Sequence, residues 1–471
     1  MTAFRPAPSL AAPPGPVGSD RRSLPARFAY VGTGGRVRMF LDPVAGRFRA
    51  EAAIVGLCDS SLVRAGFHRD RLKAKFGYAD VPAYAAADFG RMLRETRPDT
   101  VVVCTVDSEH HRYIVEALRA GCDVVTEKPM TTDAAKCRQI LDAVQATGRT
   151  VRVAFNYRWN PGVTKVRELI AAGTIGQVRH VTLEYLLNTS HGADYFRRWH
   201  AQKRFSGGLL VHKATHHFDL VNWWIDAIPA DVFAQGGLMF YGRANAERRG
   251  DHALAAYPRY YPQARRDDPF AYTYEQSMIQ DTSMERGLYL GAAEQESGYM
   301  RDRNVFRDDI DIEDTMNVLV RYRTGALLSY SLNAYSPYEG YRVAFTGDRG
   351  RIEYREFHAA HLFDPAGGTS LTKRQEEVHE LQVFPHFKAP YAVPVPVIHG
   401  DHGGSDPLLQ EQIFAARPPA DPFGRSAGHE QGAASILVGI AANASIASGA
   451  PVALDSLLVL KPSARQLSEL V

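Results

Sequence analysis

Apolar and polar positions change rhythm about a third of the way along this chain. Up to residue 154, short apolar runs alternate with segments whose apolar side chains recur every three or four positions. Ile54–Cys58, Thr100–Val106, Cys122–Thr126 and Val151–Phe155 read as strands, and the unbroken Thr100–Val106 run suits a strand buried on both faces. Between them His110–Ala120 has helical spacing and stops at Gly121, and Asp133–Ala146 does so before Gly148. Such alternation predicts a parallel sheet wound with helices on both faces.

The second rhythm is period two. Gln177–Leu187 alternates like a strand with one wet face. Met316–Arg323 and Ala326–Asn333 flank Thr324-Gly325, and Tyr341–Thr346 and Arg351–Arg355 flank Gly347–Gly350; both pairs read as hairpins of a mostly antiparallel sheet. Residues 241–314 form a polar, tyrosine-rich insertion of the kind that shapes substrate choice at an active-site mouth. Ala433–Ser448 is an apolar helix whose small residues permit close packing onto another element. No internal repeat is visible. The expected division is a disordered, proline-rich tail over 1–26, a doubly wound α/β domain over 27–154, and an α+β domain over 155–471 carrying the insertion.

Composition narrows this picture only a little. A chain of 471 residues, 45% hydrophobic, exceeds one ordinary core. A net charge of +3, with basic residues scattered among acids, does not call for nucleic acid. No apolar stretch reaches the ~20 residues that span a bilayer, and Arg21-Arg22 leads straight into Ser23–Arg27 rather than into an apolar signal core. Cys58, Cys104, Cys122 and Cys137 fit neither a zinc site nor a disulfide framework and read as reduced thiols of a cytoplasmic protein.

Chemistry enters at the end of the first strand. Val31-Gly32-Thr33-Gly34-Gly35-Arg36-Val37 turns through glycines into a helix, which leaves backbone N–H groups and a positive dipole end facing one spot, suited to a diphosphate. Gly32 permits the tight turn and Gly34 the close approach, while Val37 stands where a third glycine would be. Asp59, ending the next strand, is placed to accept from the adenosine ribose hydroxyls and to repel a 2′-phosphate, which favours NAD over NADP. Glu127-Lys128-Pro129 follows the Cys122–Thr126 strand, so Lys128 is aimed at the cofactor side. Gly207–Asp219 then carries His212, His216 and Asp219 at i, i+4 and i+7, on one helical face. Histidines at that spacing allow zinc, but Lys213 replaces the glutamate a metalloprotease needs, so no metal is expected; acid–base work on a hydroxyl as hydride leaves its carbon is the better use.

The glycine turn, Thr105–His110, Glu127-Lys128-Pro129 and the Gly-Gly…His helix together resemble the Gfo/Idh/MocA family, over roughly residues 27–360. The resemblance implies a Rossmann domain followed by an α+β domain with an open, mostly antiparallel sheet, and a nicotinamide enzyme acting on a sugar, polyol or glycoside. It implies that Lys128 contacts the reacting hydroxyl and nicotinamide ribose, that His216 shuttles the proton, that Thr105 and His110 lie beside the cofactor, and that Asn156, Tyr157 and Arg158 face the substrate. Cofactor contacts are then expected from Gly32, Thr33, Gly34, Gly35, Arg36, Val37, Asp59, Thr105, His110, Glu127 and Lys128. Arg198, Trp199, His200 and His212 flank the motifs as further hydroxyl-gripping candidates, and His399 and His402 lie in a glycine-rich loop that could close the site. Two departures stand out: His212 occupies the place of a common aspartate, and Thr105-Val106-Asp107 replaces Thr-Pro-Asn. His212 thereby joins Lys128 and His216 as a catalytic candidate. The rival readings are a redox-neutral, NAD-dependent glycosidase or lyase working through a transient ketone, a non-catalytic NAD-binding protein, and a zinc hydrolase. A homodimer or tetramer is expected from the open sheet.

Overall fold

The computed structural model describes residues 25–470 apart from 263, 264, 266, 273, 275–281, 365, 367, 368 and 397–402. The tail, up to residue 24, and the His399/His402 loop lie outside the described residues. Six strands, β1 (Ala26–Val31), β2 (Ala52–Asp59), β3 (Ala83–Ala85), β4 (Thr100–Val103), β5 (Asp123–Thr126) and β6 (Val151–Val153), form a parallel sheet in the order β6-β5-β4-β1-β2-β3. Every residue of β4 is buried, as a strand covered on both faces requires. Because β1 pairs with β2 on one side and β4 on the other, the sheet reverses its winding there. The crevice beyond the carboxyl ends of β1 and β4 is the ligand-binding position of such sheets.

The helices end where their caps dictate. Ser61 accepts the Arg64 N–H at the start of the helix Leu62–Phe76, which stops at Gly77 with φ of 55°. Asp133 caps Ala134–Thr147 in the same way, and that helix stops at Gly148 with φ of 65°.

The remaining strands are β7 (Val178–Asn188), β8 (Pro229–Gly237), β9 (Thr315–Tyr322), β10 (Leu327–Ser336), β11 (Tyr338–Gly347), β12 (Gly350–Asp364), β13 (Thr369–Pro385), β14 (Tyr391–Ala392), β15 (Ala427–Gly428) and β16 (Val452–Ala453). All but β15 build a nine-stranded sheet in the order β14-β13-β12-β11-β7-β10-β9-β8-β16; β15 adds antiparallel to β6 of the first sheet. Both expected hairpins form, β9 with β10 and β11 with β12. β10 and β11 are neighbours in sequence, yet β7 lies between them, parallel to β10 and antiparallel to β11.

The helix His429–Ser448 packs on β8 and on the helix Thr215–Trp224. Its small residues allow this: a Cβ on Gly439 would stand 2.2 Å from the Leu210 carbonyl oxygen. By length and composition it is the one described helix that could cross a bilayer, a match that the expectation of no long apolar stretch does not anticipate; it is mostly buried inside the protein. The insertion carries helices Arg243–Arg249, Thr282–Tyr289 and Ala292–Ser297 around a buried aromatic cluster that includes Tyr241, Tyr260, Phe270 and Phe306. Its last two helices dock on Leu62–Phe76, where Gly287 lies so close to the Phe67 ring that a Cβ would meet it at 2.4 Å. All four cysteines are free.

Candidate active site

The glycine turn closes as its residues require. Gly32 has φ of 84°, and a Cβ there would lie 2.4 Å from the Cys104 carbonyl carbon, so only glycine lets β1 and β4 end side by side. The Gly35 N–H points out of the turn and donates to the Tyr289 hydroxyl at 2.7 Å. That oxygen comes from the insertion and stands 3.0 Å from where a Cβ on Gly34 would be. Val37 is fully buried in the domain core, so it supports the turn from behind. Arg36 faces the crevice floor, its Nε 2.5 Å from Glu127 and a second nitrogen 3.7 Å from Asp406.

Asp59 is densely hydrogen-bonded. It accepts from the Thr33 N–H at 2.5 Å, the Thr33 hydroxyl at 3.0 Å and the Ser61 N–H at 2.8 Å, and Arg64 lies 3.3 Å away. The turn and the end of β2 are thus tied together through one carboxylate. These residues fit a dinucleotide: the Gly35 donor is held by a neutral hydroxyl that a phosphate oxygen can replace, and the Thr33 hydroxyl is an exchangeable donor on the Asp59 carboxylate.

On the opposite rim, His110 bridges two strand-end loops, with Nδ1 2.8 Å from the Pro129 carbonyl and Nε2 3.2 Å from that of Thr105. Burial lowers the pKa of this imidazole, opposed by the two carbonyls. Lys128 leaves the end of β5 and donates to the His212 carbonyl at 3.1 Å. Burial brings its pKa down from 10.5 to about 8, opposed by Asp107 and Glu127 and assisted by Lys213 and Arg36.

The helical face expected of His212, His216 and Asp219 does not form. The N–H groups of Lys213 and Ala214 both donate to the Leu209 carbonyl, and the chain breaks between the short helix Leu209–His212 and the helix Thr215–Trp224. Each side chain therefore meets its own surroundings. His212 Nδ1 lies 2.5 Å from Asp107 Oδ2; burial raises the pKa of the carboxyl and lowers that of the imidazole. His216 stacks on Tyr157 with centroids 4.1 Å apart and planes within 9°. Lys213, 3% exposed, donates to the Tyr157 hydroxyl at 3.1 Å. Asp219 points into the core and takes a two-pronged ion pair from Arg158 at 2.7 and 2.6 Å. Arg158 is wholly buried in that pair, which corrects its placement as a substrate-facing residue.

The other candidates line the crevice unevenly. Trp199 stacks on His200 at 3.7 Å, and His200 lies edge-on to His212 at 4.2 Å. Arg198 pairs with Asp194 at 2.8 Å. Asn156 donates to Asp406 at 2.7 Å and so joins the crevice wall to the helix Ser405–Phe414. Sequence reasoning passes over Asp107, Lys213, Tyr195 and the insertion residues Tyr289 and Glu296. Asp107 and Lys213 lie inside motifs already singled out and are findable by asking which charges the motif histidines meet. Tyr195, whose hydroxyl lies 3.1 Å from His191 Nε2 while its ring lies edge-on to His212, carries no local signal, and neither do the insertion residues.

A doubly wound sheet with a glycine turn at its reversal point, facing a lysine and histidines beside a second, largely antiparallel sheet, defines a two-domain dinucleotide-binding oxidoreductase. The chain belongs to the Gfo/Idh/MocA oxidoreductase family: residues 26–155 match the model of its NAD-binding Rossmann fold, and residues 167–454 that of its C-terminal alpha/beta domain. It is 37% identical to YteT of Bacillus subtilis (strain 168), an oxidoreductase by name, over 441 residues that cover 90% of this chain and 96% of that protein. The inositol 2-dehydrogenase of Rhizobium meliloti is 28% identical over 46% of this chain and 60% of its own length. The D-glucoside 3-dehydrogenase of Escherichia coli (strain K12) is 29% identical over 43% and 54%. Among solved structures, the aldose-aldose oxidoreductase of Caulobacter crescentus complexed with glycerol superposes with a TM-score of 0.57 at 18% identity, covering 91% of this chain and 99% of that one. The WlbA dehydrogenase of Bordetella pertussis, in complex with NADH and UDP-GlcNAcA, gives 0.58 at 17% identity over 92% and 99%. These two share the fold.

Proposed function

We propose that this protein is an NAD-dependent dehydrogenase that transfers hydride from a secondary alcohol of a sugar, polyol or glycoside. The observation that carries the reading is Lys128. It reaches from the end of β5, in the nucleotide-binding half, to the backbone of the helix pair that bears His212 and His216. A substrate hydroxyl held there meets an ammonium that stabilises the developing alkoxide and the His216 imidazole that takes its proton. Tyr157 fixes the plane of that imidazole, and Lys213 holds the phenol. Gly32–Gly35 receive the diphosphate and Asp59 the adenosine ribose; the bound nicotinamide supplies the hydride chemistry. The Asp107–His212 pair stands where a grip on a second hydroxyl is useful.

The named dehydrogenase relatives support a polyol or sugar substrate. Free, mostly buried thiols support a reducing, cytoplasmic setting. The outward face of the nine-stranded sheet exposes Leu319 and Leu327 and supports pairing with a second copy. One observation favours the redox-neutral variant: insertion residues cover the diphosphate turn, which suits a cofactor that stays bound while the same hydride leaves and returns. A panel of sugars, polyols and glycosides with NAD⁺ tests both, with accumulation of reduced cofactor marking net oxidation and released aglycone marking cleavage. Lys128→Ala and His216→Ala each lower turnover by about 10²–10⁴-fold with cofactor binding kept. Wild-type turnover of neither kind, or full activity in these variants, defeats the reading.

A further inference from the structure

The second helix of the nucleotide-binding half begins beside Asp59, and its first turn offers an anion seat. The Leu62 and Val63 N–H groups and the Ser61 hydroxyl converge there, and the Arg64 side chain lies alongside on Asp59. In a dinucleotide site this is the ground next to the adenosine ribose, and a nearby arginine is the usual partner of a 2′-phosphate. Asp59 alone gives a weak barrier to that phosphate here. Arg64 lies 3.3 Å from its carboxylate and offsets the charge.

The seat is filled from within the chain. Glu296, in the last helix of the insertion, places its carboxylate on the Leu62 N–H at 3.0 Å, on the Val63 N–H at 3.1 Å and on the Ser61 hydroxyl. This is not one wandering side chain. Arg64 donates to the Leu288 carbonyl at 3.1 Å and to the Ser297 hydroxyl at 2.7 Å, and Gly287 packs closely against the Phe67 ring. The segment 287–297 is therefore pinned to the helix at three independent points, and Arg64, the natural phosphate partner, is turned toward the insertion.

We propose that Glu296 sets the cofactor preference of this enzyme by occupying the seat a 2′-phosphate would need and repelling the phosphate from it. The inference rests on the nicotinamide-dinucleotide reading above and adds a residue to it: discrimination against NADP comes from a carboxylate some 230 positions away in sequence from the donors it covers. The acid at the end of β2 recognises the ribose, and the insertion rejects the phosphate.

The test is the ratio of NAD to NADP dissociation constants for the full chain, by calorimetry, in the wild type and in Glu296→Gln and Glu296→Ala. Binding of 2′,5′-ADP against ADP isolates the phosphate seat from the nicotinamide. Loss of a charge-assisted contact and of the repulsion shifts the ratio toward NADP by about tenfold to a hundredfold. Arg64→Ala, added to Glu296→Ala, reverses most of that shift. A wild type that binds NADP as well as NAD, or a ratio unmoved in both Glu296 variants while NAD still binds, overturns the proposal alone. A wild type that binds neither dinucleotide overturns the underlying reading as well. Thermal unfolding of each variant without cofactor confirms that the fold is retained; because Glu296→Gln keeps its shape and one of its two accepting oxygens, it carries the test if Glu296→Ala unfolds.

Discussion

The depressed pKa of Lys128 yields a prediction with a worked magnitude. Burial moves the ammonium from 10.5 to about 8. A displacement of that size corresponds to about 3 kcal/mol, an upper bound because the side chain is only half-buried. At pH 7 about nine-tenths of Lys128 is charged, and each unit above pH 8 removes a further factor of about ten. If the ammonium stabilises the developing alkoxide, kcat/KM for alcohol oxidation falls tenfold per unit above pH 8. Lys128→Arg keeps a charge at all accessible pH, so it flattens that alkaline limb even though its fork-shaped head lowers the maximum rate. The assay is reduced-cofactor absorbance from pH 6 to 10. Folding carries the same signature. The unfolded chain binds more protons than the folded one between about 8 and 10.5, so the destabilisation due to Lys128 is fully present below that window and is relieved as pH rises through it. A rate that climbs through pH 8, or a limb that persists unchanged in Lys128→Arg, refutes the assignment of the charged form as the working one.

Two further expectations concern the scaffold. Asp219→Ala strands the Arg158 guanidinium, which is left with the Gly424 carbonyl and the Gln431 side chain as acceptors, and costs about 3 kcal/mol, at the low end for a broken buried pair; urea unfolding measures it, and Asp219→Leu with Arg158→Met recovers part of the loss. Gly439→Ala pushes a methyl group into the Leu210 backbone and loses about 1–3 kcal/mol, because neither helix can retreat without opening the core; a shift below about 0.5 kcal/mol, the range of an unconstrained substitution, would show that the two helices are less tightly set than their spacing indicates.

How far the site was readable from sequence depends on how local each feature is. β4 announces itself because Val101–Val103 have no polar face to present. The glycine turn is legible because the backbone conformation at Gly32 and its contact with Cys104 exclude every side chain. Lys128 is legible because a strand end in a parallel sheet faces the ligand whatever the rest of the chain does. The geometry of the histidine segment is not. Spacing at i, i+4 and i+7 presumes an unbroken helix, and the doubled donation to Leu209 turns the helix Thr215–Trp224 out of that register. Arg158 illustrates the same limit: it stands in a motif, but its partner Asp219 is 61 positions on, and only the folded chain shows that the two neutralise each other in the core.

By itself the sequence determined the periodicities that make one parallel and one largely antiparallel sheet, the turn that only glycine can form, and the identity of the lysine at the strand end. These arise from sterics and hydrogen bonding within a few residues. Tertiary structure alone decided that Asp107 pairs with His212, that Tyr157 stacks on His216, and that Tyr289 and Glu296 reach over the nucleotide crevice. Those contacts join segments far apart along the chain, and their energies depend on burial, which no stretch of residues carries until the domains have packed.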